Sequence, residues 1–488
     1  MIKKKFKITG SAVTAGIFFW LCFVFSAWCQ DISTMPPFTK KDRVLILAPH
    51  PDDESIGAAG VLQEAVKAGA CVKVVCYTNG DANELSFILY EKRITFFKKT
   101  FLYMGEVRRK ETLVAMQYLG IDPAQVIFLG YPDHGTMAIL TRYWGKTKPY
   151  RSIFARVTQV SYPDALTYHA PYVGESVLED LKKVLLDFRP TKIFVSNPVD
   201  TNRDHRSLYV FLRVALWDLE KKIGIPQVYP YLIHVVNWPK PRGYKPQLHL
   251  DPPSKYVGMQ WKNLVLSEEE VQKKRDAISK YKSQLTYAPG YLYSFARSNE
   301  LFGDYPALVL KRQVGPDVKW QDIGIDTSDE PQKSFSLEKD DDPDEEEGAP
   351  QRTTVSDPDK ISYLAFARHD DNLWIKIILN KKVDKTLGLS LYLLGYSKKA
   401  DFAVLPKLHI SLGTFGVKVL DKQKRLKDNG VQVITKNRTF VVKIPLKDLG
   451  DPDRIFSSAR VVGFPYETSA WRILELDPSF EAACQPYR

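Results

Sequence analysis

The sequence predicts an α/β fold in which a doubly wound, mostly parallel sheet is followed by a C-terminal antiparallel β-sandwich. In the first part of the chain, short apolar runs typical of buried parallel strands alternate with segments of helical apolar spacing. In the last part, strand-like segments follow one another with turns between them. An acidic stretch separates the two patterns, so the domains are expected at residues 40–320 and 353–488.

The first domain has predicted strands at 44–48, 72–77, 126–129 and 192–196, and predicted helices at 55–68, 106–119, 177–188 and 208–219. Residues 215–320 are less regular, but a capping box at 267–270 predicts a helix that runs to about residue 284. Ligands of such sheets bind beyond the carboxyl ends of the strands. The polar motifs described below lie directly after predicted strands.

Residues 328–352 are predicted to be a solvated linker, because the acidic run at 340–347 has no apolar anchor. A tether is the favoured interpretation of this run, and calcium binding is a minor alternative. Beyond the linker, strands of the sandwich are predicted at 373–377, 389–394, 431–434 and 440–444.

The N-terminus is predicted to direct export. Four lysines among the first seven residues precede a mostly apolar stretch at 8–29, which is the pattern of a secretory signal peptide. The stretch is long for a signal peptide, so a membrane anchor is the alternative for residues 1–30. Either interpretation places the protein in the periplasm, outside the cell or anchored in the cell envelope. Trp28 argues against lipid attachment at Cys29.

The net charge of +12 is spread along the chain and is not gathered into one basic stripe. A nucleic-acid partner is therefore not expected, because such proteins carry a clustered basic surface. The charge favours an anionic membrane surface or an acidic envelope polymer. The five cysteines predict neither a disulfide framework nor a thiolate metal site, and the sequence does not indicate the oligomeric state.

The chemistry is expected to lie in residues 48–54, which read Ala-Pro-His-Pro-Asp-Asp-Glu directly after the first predicted strand. His50 and Asp53 are three residues apart, so one turn can direct an imidazole and a carboxylate at one zinc ion. Asp52 can then face the zinc-bound water as a general base. An acidic helix N-terminus, favoured by the helix dipole, explains these residues equally well on their own.

A third ligand is available in the loop after the strand at 192–196. His205 opens a predicted helix there, and in a doubly wound sheet this loop and the loop at residue 50 can share one edge. His205 would complete a His–Asp–His zinc site, with Asp204 tuning the charge beside it. A solvated Asp-His pair at a helix start is the alternative.

The first motif resembles the A-H-P-D-D-E motif of the PIG-L / LmbE-like zinc-dependent N-acetylglucosaminyl deacetylases, with Pro49 as a variation. The resemblance implies a Rossmann-like sheet, Zn2+ as cofactor, His50 and Asp53 as ligands and Asp52 as base. The motif at 202–205 resembles the family's H-P-D-H, whose last histidine, a zinc ligand, corresponds to His205. Asn202 stands in place of the first histidine. It can donate a hydrogen bond to an oxyanion but cannot supply a proton.

Weaker matches extend the resemblance over residues 40–305, at 78–81, 108–120, 129–133 and 274–284. They imply that Arg108, Asp133 and Asp81 border the substrate, while ordinary surface salt bridges are the alternative for Arg108 and Asp133. Asp204 and Glu54 are expected to contact and orient the metal ligands without binding the metal themselves. His134 and His169 are candidates to protonate the leaving amine in place of the missing histidine.

The resemblance implies a zinc hydrolase that removes an N-acetyl or other N-acyl group from an N-acetylglucosamine-type sugar in a glycan or glycolipid. Another zinc amidohydrolase acting on a small amide or thiol conjugate, or a non-catalytic glycan-binding protein, is the alternative. The last domain loosely resembles carbohydrate-binding sandwich modules, in which Trp374 and Trp471 could stack on sugars. Burial in the core is the other interpretation of both tryptophans and is favoured for Trp374. Support of the enzyme or contact with a partner is the alternative role for the domain.

Overall fold

The computed structural model describes residues 32–82, 97–323, 327–330, 361–380, 388–413, 416–462 and 466–477. The predicted signal peptide or anchor at 1–30 and the acidic run at 340–347 lie outside the described residues. Within them, no helix has both the length and the apolar character needed to cross a membrane.

The first sheet has eight strands. In chain order they are β1 (Ile32–Thr34), β2 (Arg43–Ala48), β3 (Cys71–Thr78), β4 (Val126–Tyr131), β5 (Lys192–Ser196), β6 (Gln227–Tyr231), β7 (Gln260–Val265) and β8 (Asn299–Asp304). Their order across the sheet is β1-β7-β8-β6-β5-β2-β3-β4. The neighbours from β6 to β4 are parallel, whereas β8 is antiparallel to β6 and to β7. The predicted mostly parallel α/β sheet is confirmed.

Helices cover both faces of this sheet. They are α1 (Asp53–Lys67), α2 (Lys98–Leu119), α3 (Thr136–Arg142), α4 (Gly174–Phe188), α5 (Arg203–Ile223), α6 (Glu268–Ile278), α7 (Lys282–Leu285) and α8 (Pro289–Tyr293). Apolar residues of α1 and α6 belong to one buried cluster, and those of α3, α4 and α5 belong to a second. Two apolar cores on opposite faces are what a doubly wound sheet requires.

The capping box at the start of α6 is present, but the predicted continuation of this helix to residue 284 is wrong. Ser267 Oγ accepts a hydrogen bond from the Glu270 backbone at 3.3 Å, and the Glu270 carboxylate accepts one from the Ser267 backbone at 2.8 Å. The helix ends at Ile278 because Tyr281 leaves the helical conformation and places its hydroxyl on buried Glu54. A tertiary contact has overridden the local helical pattern.

The remaining strands form two packed, largely antiparallel sheets with an apolar core between them, so the predicted β-sandwich is confirmed. These strands are β9 (Leu308–Leu310), β10 (Arg312–Gln313), β11 (Gln321–Ile323), β12 (Thr327–Glu330), β13 (Ile361–His369), β14 (Asn372–Leu379), β15 (Gly388–Tyr396), β16 (Lys407–Gly413), β17 (Gly416–Asp421), β18 (Lys424–Arg425), β19 (Gln432–Lys436), β20 (Thr439–Pro445), β21 (Arg454–Val462), β22 (Tyr466–Ser469) and β23 (Arg472–Leu476). One sheet has the order β10-β13-β14-β20-β19, with β11 beside β13. The other has the order β12-β22-β21-β15-β16-β17-β18, with β23 beside β21 and β9 beside β23.

The sandwich begins within the range expected for the first domain, since β9 pairs with β23 and both β10 and β11 pair with β13. The second apolar cluster of the first domain also continues into the sandwich and includes Trp471. Only 3% of Trp471 is exposed, so this indole is a core residue and does not present a face to sugars. Trp374 is half-buried, with Lys443 over its ring.

Candidate metal centre

The three candidate ligands come together at the switch point of the first sheet. β2 pairs with β5 in parallel, and the sheet continues from β2 to β3 on one side and from β5 to β6 on the other. The loop after β2 carries His50, and the loop after β5 leads to His205. Because both loops leave the carboxyl ends of neighbouring strands, they meet in the crevice where ligands of such sheets bind.

His50, Asp53 and His205 converge on one small volume. Asp53 Oδ2 lies 3.2 Å from His50 Nδ1 and 3.0 Å from His205 Nε2, and the two imidazole nitrogens are 3.3 Å apart. All three residues are buried. Two imidazole nitrogens and one carboxylate oxygen form the donor set of a catalytic zinc site that keeps a position open for water. The residues present therefore fit the metal that the sequence implies.

Carboxylates hold the far side of both imidazoles. Asp200 Oδ2 lies 3.2 Å from His205 Nδ1, and Asp200 also accepts backbone hydrogen bonds from Ile233 and His234. Such a carboxylate fixes the tautomer and the orientation of a ligating histidine. Burial lowers the pKa of His205, but Asp200 and Asp53 outweigh it and raise this pKa to about 9.

His50 is supported in the same way by two carboxylates. Its Nε2 lies 3.3 Å from Asp133 Oδ1 and 3.4 Å from Asp204 Oδ2. Burial opposes the charged imidazolium, but Asp133, Asp204 and Asp53 outweigh it and raise the pKa of His50 well above its usual value. Both histidines thus have one nitrogen turned to the convergence point and the other held by a buried carboxylate, which is the geometry of a preorganised metal site.

Asp52 lies beside the ligand cluster in a strained backbone conformation. Its φ is 123°, a value that L-residues rarely adopt, and its backbone N–H donates to Glu54 Oε2 at 3.1 Å. Burial raises the pKa of Asp52 to about 7, against the opposing charge of Arg108. Strain of this kind persists where the surrounding structure enforces it, and it clusters at functional sites.

Arg108 is buried behind Asp52 and is not a surface residue. Its guanidinium donates to the carbonyl oxygens of Gly80 at 3.0 Å and Pro51 at 2.7 Å, and it lies 3.3 Å from Asp52 Oδ2. Asp133 is buried against His50, as described above. The surface salt-bridge alternative for these two residues is wrong, and their contact with substrate stays a prediction.

Asp81 and Glu54 are also buried and hydrogen-bonded. Asp81 accepts a hydrogen bond from the Tyr162 hydroxyl at 2.8 Å, and burial, reinforced by the charge of Asp133, raises the pKa of Asp81 to about 7. Burial likewise raises the pKa of Glu54 to about 8, against its hydrogen bond from Tyr281. Glu54 thus supports the backbone of Asp52, and the role of Asp81 towards substrate stays a prediction.

Asn202 and Asp204 shape the start of α5. Asn202 is the N-cap, and its side-chain oxygen accepts a hydrogen bond from the Asp204 backbone at 2.8 Å. Asp204 accepts from the backbones of His134 at 2.6 Å and Thr136 at 3.1 Å, so it joins the turn before α3 to His50. Capping alone explains why asparagine is suited to position 202.

The two histidines that the sequence offers as proton donors lie in different surroundings. His134 Nε2 lies 3.7 Å from Asp133 Oδ1, next to the ligand cluster. His169 is exposed and its ring lies on Tyr168. A third histidine, His234, is not among the residues that the sequence motifs single out.

The His234 ring centroid is 4.7 Å from that of His205, and His234 forms a second group of candidate ligands with Asp200 and His205. Burial lowers the pKa of His234 to about 4. The signal that could have identified it is its place shortly after β6, at the same edge of the sheet. Strand β6 lies within residues 215–320, where the pattern of apolar residues is less regular than in the rest of the first domain.

The comparison with known protein families agrees with the sequence motifs. Residues 45–216 match the family described as PIG-L: GlcNAc-PI de-N-acetylase. No curated protein matches the chain.

Several solved structures are similar in part. The N,N'-diacetylchitobiose deacetylase from Pyrococcus horikoshii is 19% identical with a TM-score of 0.34, over 54% of this chain and 84% of that chain. A conserved protein from Thermus thermophilus is 21% identical with a TM-score of 0.32, over 52% and 84%. The 4-carboxy-2-hydroxymuconate hydratase GalB from Pseudomonas putida is 16% identical with a TM-score of 0.34, over 54% and 97%.

Proposed function

Residues 45–216 of this chain form a PIG-L family domain, and from this premise we propose that the protein is a zinc-dependent deacetylase. Its substrate would be an N-acetylglucosamine-type amino sugar within a glycan or glycolipid, from which it removes the N-acetyl or a related N-acyl group. The observation that carries the proposal is the convergence of His50, Asp53 and His205 within hydrogen-bonding distance of one another, with Asp52 beside them.

His50, Asp53 and His205 would hold the metal. When bound there, a divalent cation supplies Lewis-acid activation of the acyl carbonyl and of water. The fixed carboxylates behind the two imidazoles keep both ligand nitrogens oriented for this role.

Asp52 would act as general base and take a proton from the attacking water. A catalytic base must lie within reach of the proton that it takes, and Asp52 is buried directly beside the candidate ligand Asp53. Arg108 holds the Asp52 carboxylate and the preceding carbonyl in place. The Asn202 amide is the candidate donor to the oxyanion, and His134 is better placed than His169 to give a proton to the departing amine.

Acetate release tests this function. Purified full-length protein would be incubated with a panel of N-acetylated envelope glycans, soluble chitooligosaccharides and small N-acyl amides or thiol conjugates, with and without a chelator. We expect acetate and a free amine from an amino-sugar substrate, loss of activity on chelation, and recovery with Zn2+. Release only from small amides would point to another amidohydrolase. Glycan binding without release, from protein loaded with metal, would show a non-catalytic protein.

Arg108→Gln gives a further prediction. Because Arg108 contacts the candidate base and not the candidate ligands, we expect kcat to fall by about 10–100-fold through misplacement of Asp52, with little change in KM. Steady-state kinetics on the substrate found above measures both. Arg109→Gln is the matched control, since Arg109 contacts Glu106 and the exposed Asp164 on the outer side of α2. A rise in KM with kcat unchanged would instead favour the substrate contact that the family resemblance implies.

We also propose that the protein acts outside the cytoplasm, in the cell envelope, the periplasm or the medium. The support is the lysine-rich start of the chain and the apolar stretch that follows it. Cell fractionation of a C-terminally tagged full-length protein tests this. Recovery with the cytoplasmic marker would contradict it.

A further inference from the structure

Helix α5 carries the candidate ligand His205 and, at the next position, the buried residue Arg206, whose side chain contacts the C-terminal sandwich. Successive side chains of an α-helix point about 100° apart, so His205 and Arg206 face different surroundings. His205 faces the ligand cluster, whereas the Arg206 guanidinium donates from Nη2 to Ser458 Oγ at 2.9 Å and to the Ser469 carbonyl. Only 2% of Arg206 is exposed. One turn of helix therefore joins the metal centre to the C-terminal sandwich.

The acceptors of Arg206 are themselves fixed within the sandwich. Ser458 lies on β21 and Ser469 on β22, and the Ser458 hydroxyl donates to the Ser469 carbonyl at 2.8 Å. The Ser469 hydroxyl in turn accepts a hydrogen bond from the Ala459 backbone at 2.8 Å. Since a buried arginine loses its hydration, it requires acceptors in fixed positions, and these serines provide them.

A second hydrogen bond attaches the sandwich to the loop that precedes α5. The Trp471 backbone N–H donates to the Pro198 carbonyl at 3.2 Å. Pro198 directly follows Asn197, and the same loop contains Asp200, which orients His205. The sandwich therefore contacts the loop at 197–202 and the first turn of α5 at two points.

The sandwich also packs along the rest of α5. The Trp217 ring stacks on Phe456 with centroids 4.9 Å apart, and the Tyr396 hydroxyl donates to Asp218 at 3.0 Å. Phe456 and Tyr396 belong to the apolar cluster that also contains buried residues of α4 and α5. The second half of α5 therefore has its own contacts with the sandwich, separate from those of Arg206.

We propose that the sandwich is a positioning element of the metal centre. Through Arg206 and the Pro198–Trp471 contact, the sandwich holds in place the loop and the helix turn that carry His205. Arg206 is a positioning residue, because the hydrogen bonds described above take its guanidinium to the sandwich and away from the donor atoms of the candidate ligands. Displacement of this loop would move Asp200 away from His205, and loss of such a partner behind a ligand typically lowers metal affinity by about 10–100-fold. The effect on metal binding rests on the proposed function, whereas the effect on the loop does not.

The test uses the full chain with Arg206→Met, Arg206→Lys and Trp217→Ala. Hydrogen exchange by mass spectrometry, on protein stripped of metal, measures the opening of residues 197–206. A metal titration against a chromophoric chelator, with Zn2+ and with Co2+, measures affinity, and the visible Co2+ spectrum reports ligand geometry. Trp217→Ala is the matched control, because it weakens the same interface at a distance from the first turn of α5.

Arg206→Met is expected to speed exchange at 197–206, to weaken metal binding by about tenfold or more, and to alter the Co2+ spectrum. Arg206→Lys should recover part of each effect, since lysine keeps the positive charge and can still donate hydrogen bonds. Trp217→Ala should speed exchange only in the second half of α5 and leave the metal affinity unchanged.

Unchanged exchange at 197–206 in Arg206→Met would overturn the proposal, as would an equal loss of metal affinity in Trp217→Ala. If the wild-type protein binds no metal, the proposed function fails, while the exchange data still decide whether the sandwich holds the loop. Should Arg206→Met not fold, Ser458→Ala removes one acceptor and permits the same measurements.

Discussion

Asp52→Asn is expected to abolish most turnover while the protein keeps its metal. Removal of a general base costs about 10²–10⁴-fold in rate, and asparagine cannot accept the proton from water. The substitution preserves size, and the strained backbone of Asp52 is held through its N–H by Glu54, independently of the side chain. Arg108 keeps its two carbonyl acceptors, so its charge is not left without partners. Steady-state acetate release and the zinc content of the purified variant measure the two effects.

Asp53→Asn is the matched control for this variant. The two aspartates are adjacent and both buried, but only Asp53 lies between the two histidines. We expect Asp53→Asn to lose metal and activity together, whereas Asp52→Asn loses activity alone. Full activity in Asp52→Asn would remove the base assignment, and loss of metal in that variant would indicate that Asp52 is a ligand.

The fold could be predicted where the local sequence determines the structure. The strand at 44–48 is a continuous apolar run, and the strand at 192–196 has an apolar centre at 193–195. Such runs are buried whichever neighbours they pair with. The antiparallel return through β7 and β8 was not predicted, because those strands carry no strong alternation and form through pairing with distant residues. The early end of α6 has a similar cause, since Tyr281 contacts a residue 227 positions away.

In the candidate site, too, local sequence determines some features and contacts between distant segments determine others. The sequence shows that His50 and Asp53 lie together, because one tight turn carries both. The approach of His205 to this pair follows from the position of the loops at the ends of β2 and β5. Side-chain directions were not predictable. Arg108 turns towards Asp52, and Asp200 turns towards the back of His205, only because distant segments pack together. Sequence spacing cannot reveal which of two adjacent residues, such as His205 and Arg206, faces the other domain.

His205→Ala is expected to weaken metal binding most strongly and to remove activity with it. The variant deletes one of three donor atoms, so we expect its affinity to fall by more than the roughly 10–100-fold that follows loss of an outer partner. It also leaves Asp200 without the imidazole that it faces, although this carboxylate keeps three backbone donors. Chelator competition measures affinity, and acetate release at saturating Zn2+ measures what activity remains.

His249→Ala is the control for loss of an imidazole as such, because His249 is exposed and only its backbone carbonyl accepts a described hydrogen bond. It should bind metal like the wild-type protein. A comparison at high Zn2+ separates two consequences of His205→Ala. If occupancy is restored and activity is not, His205 also sets the geometry of the centre. If both return, His205 contributes affinity alone. Unchanged affinity in His205→Ala would exclude this histidine as a ligand and with it the centre formed by His50, Asp53 and His205.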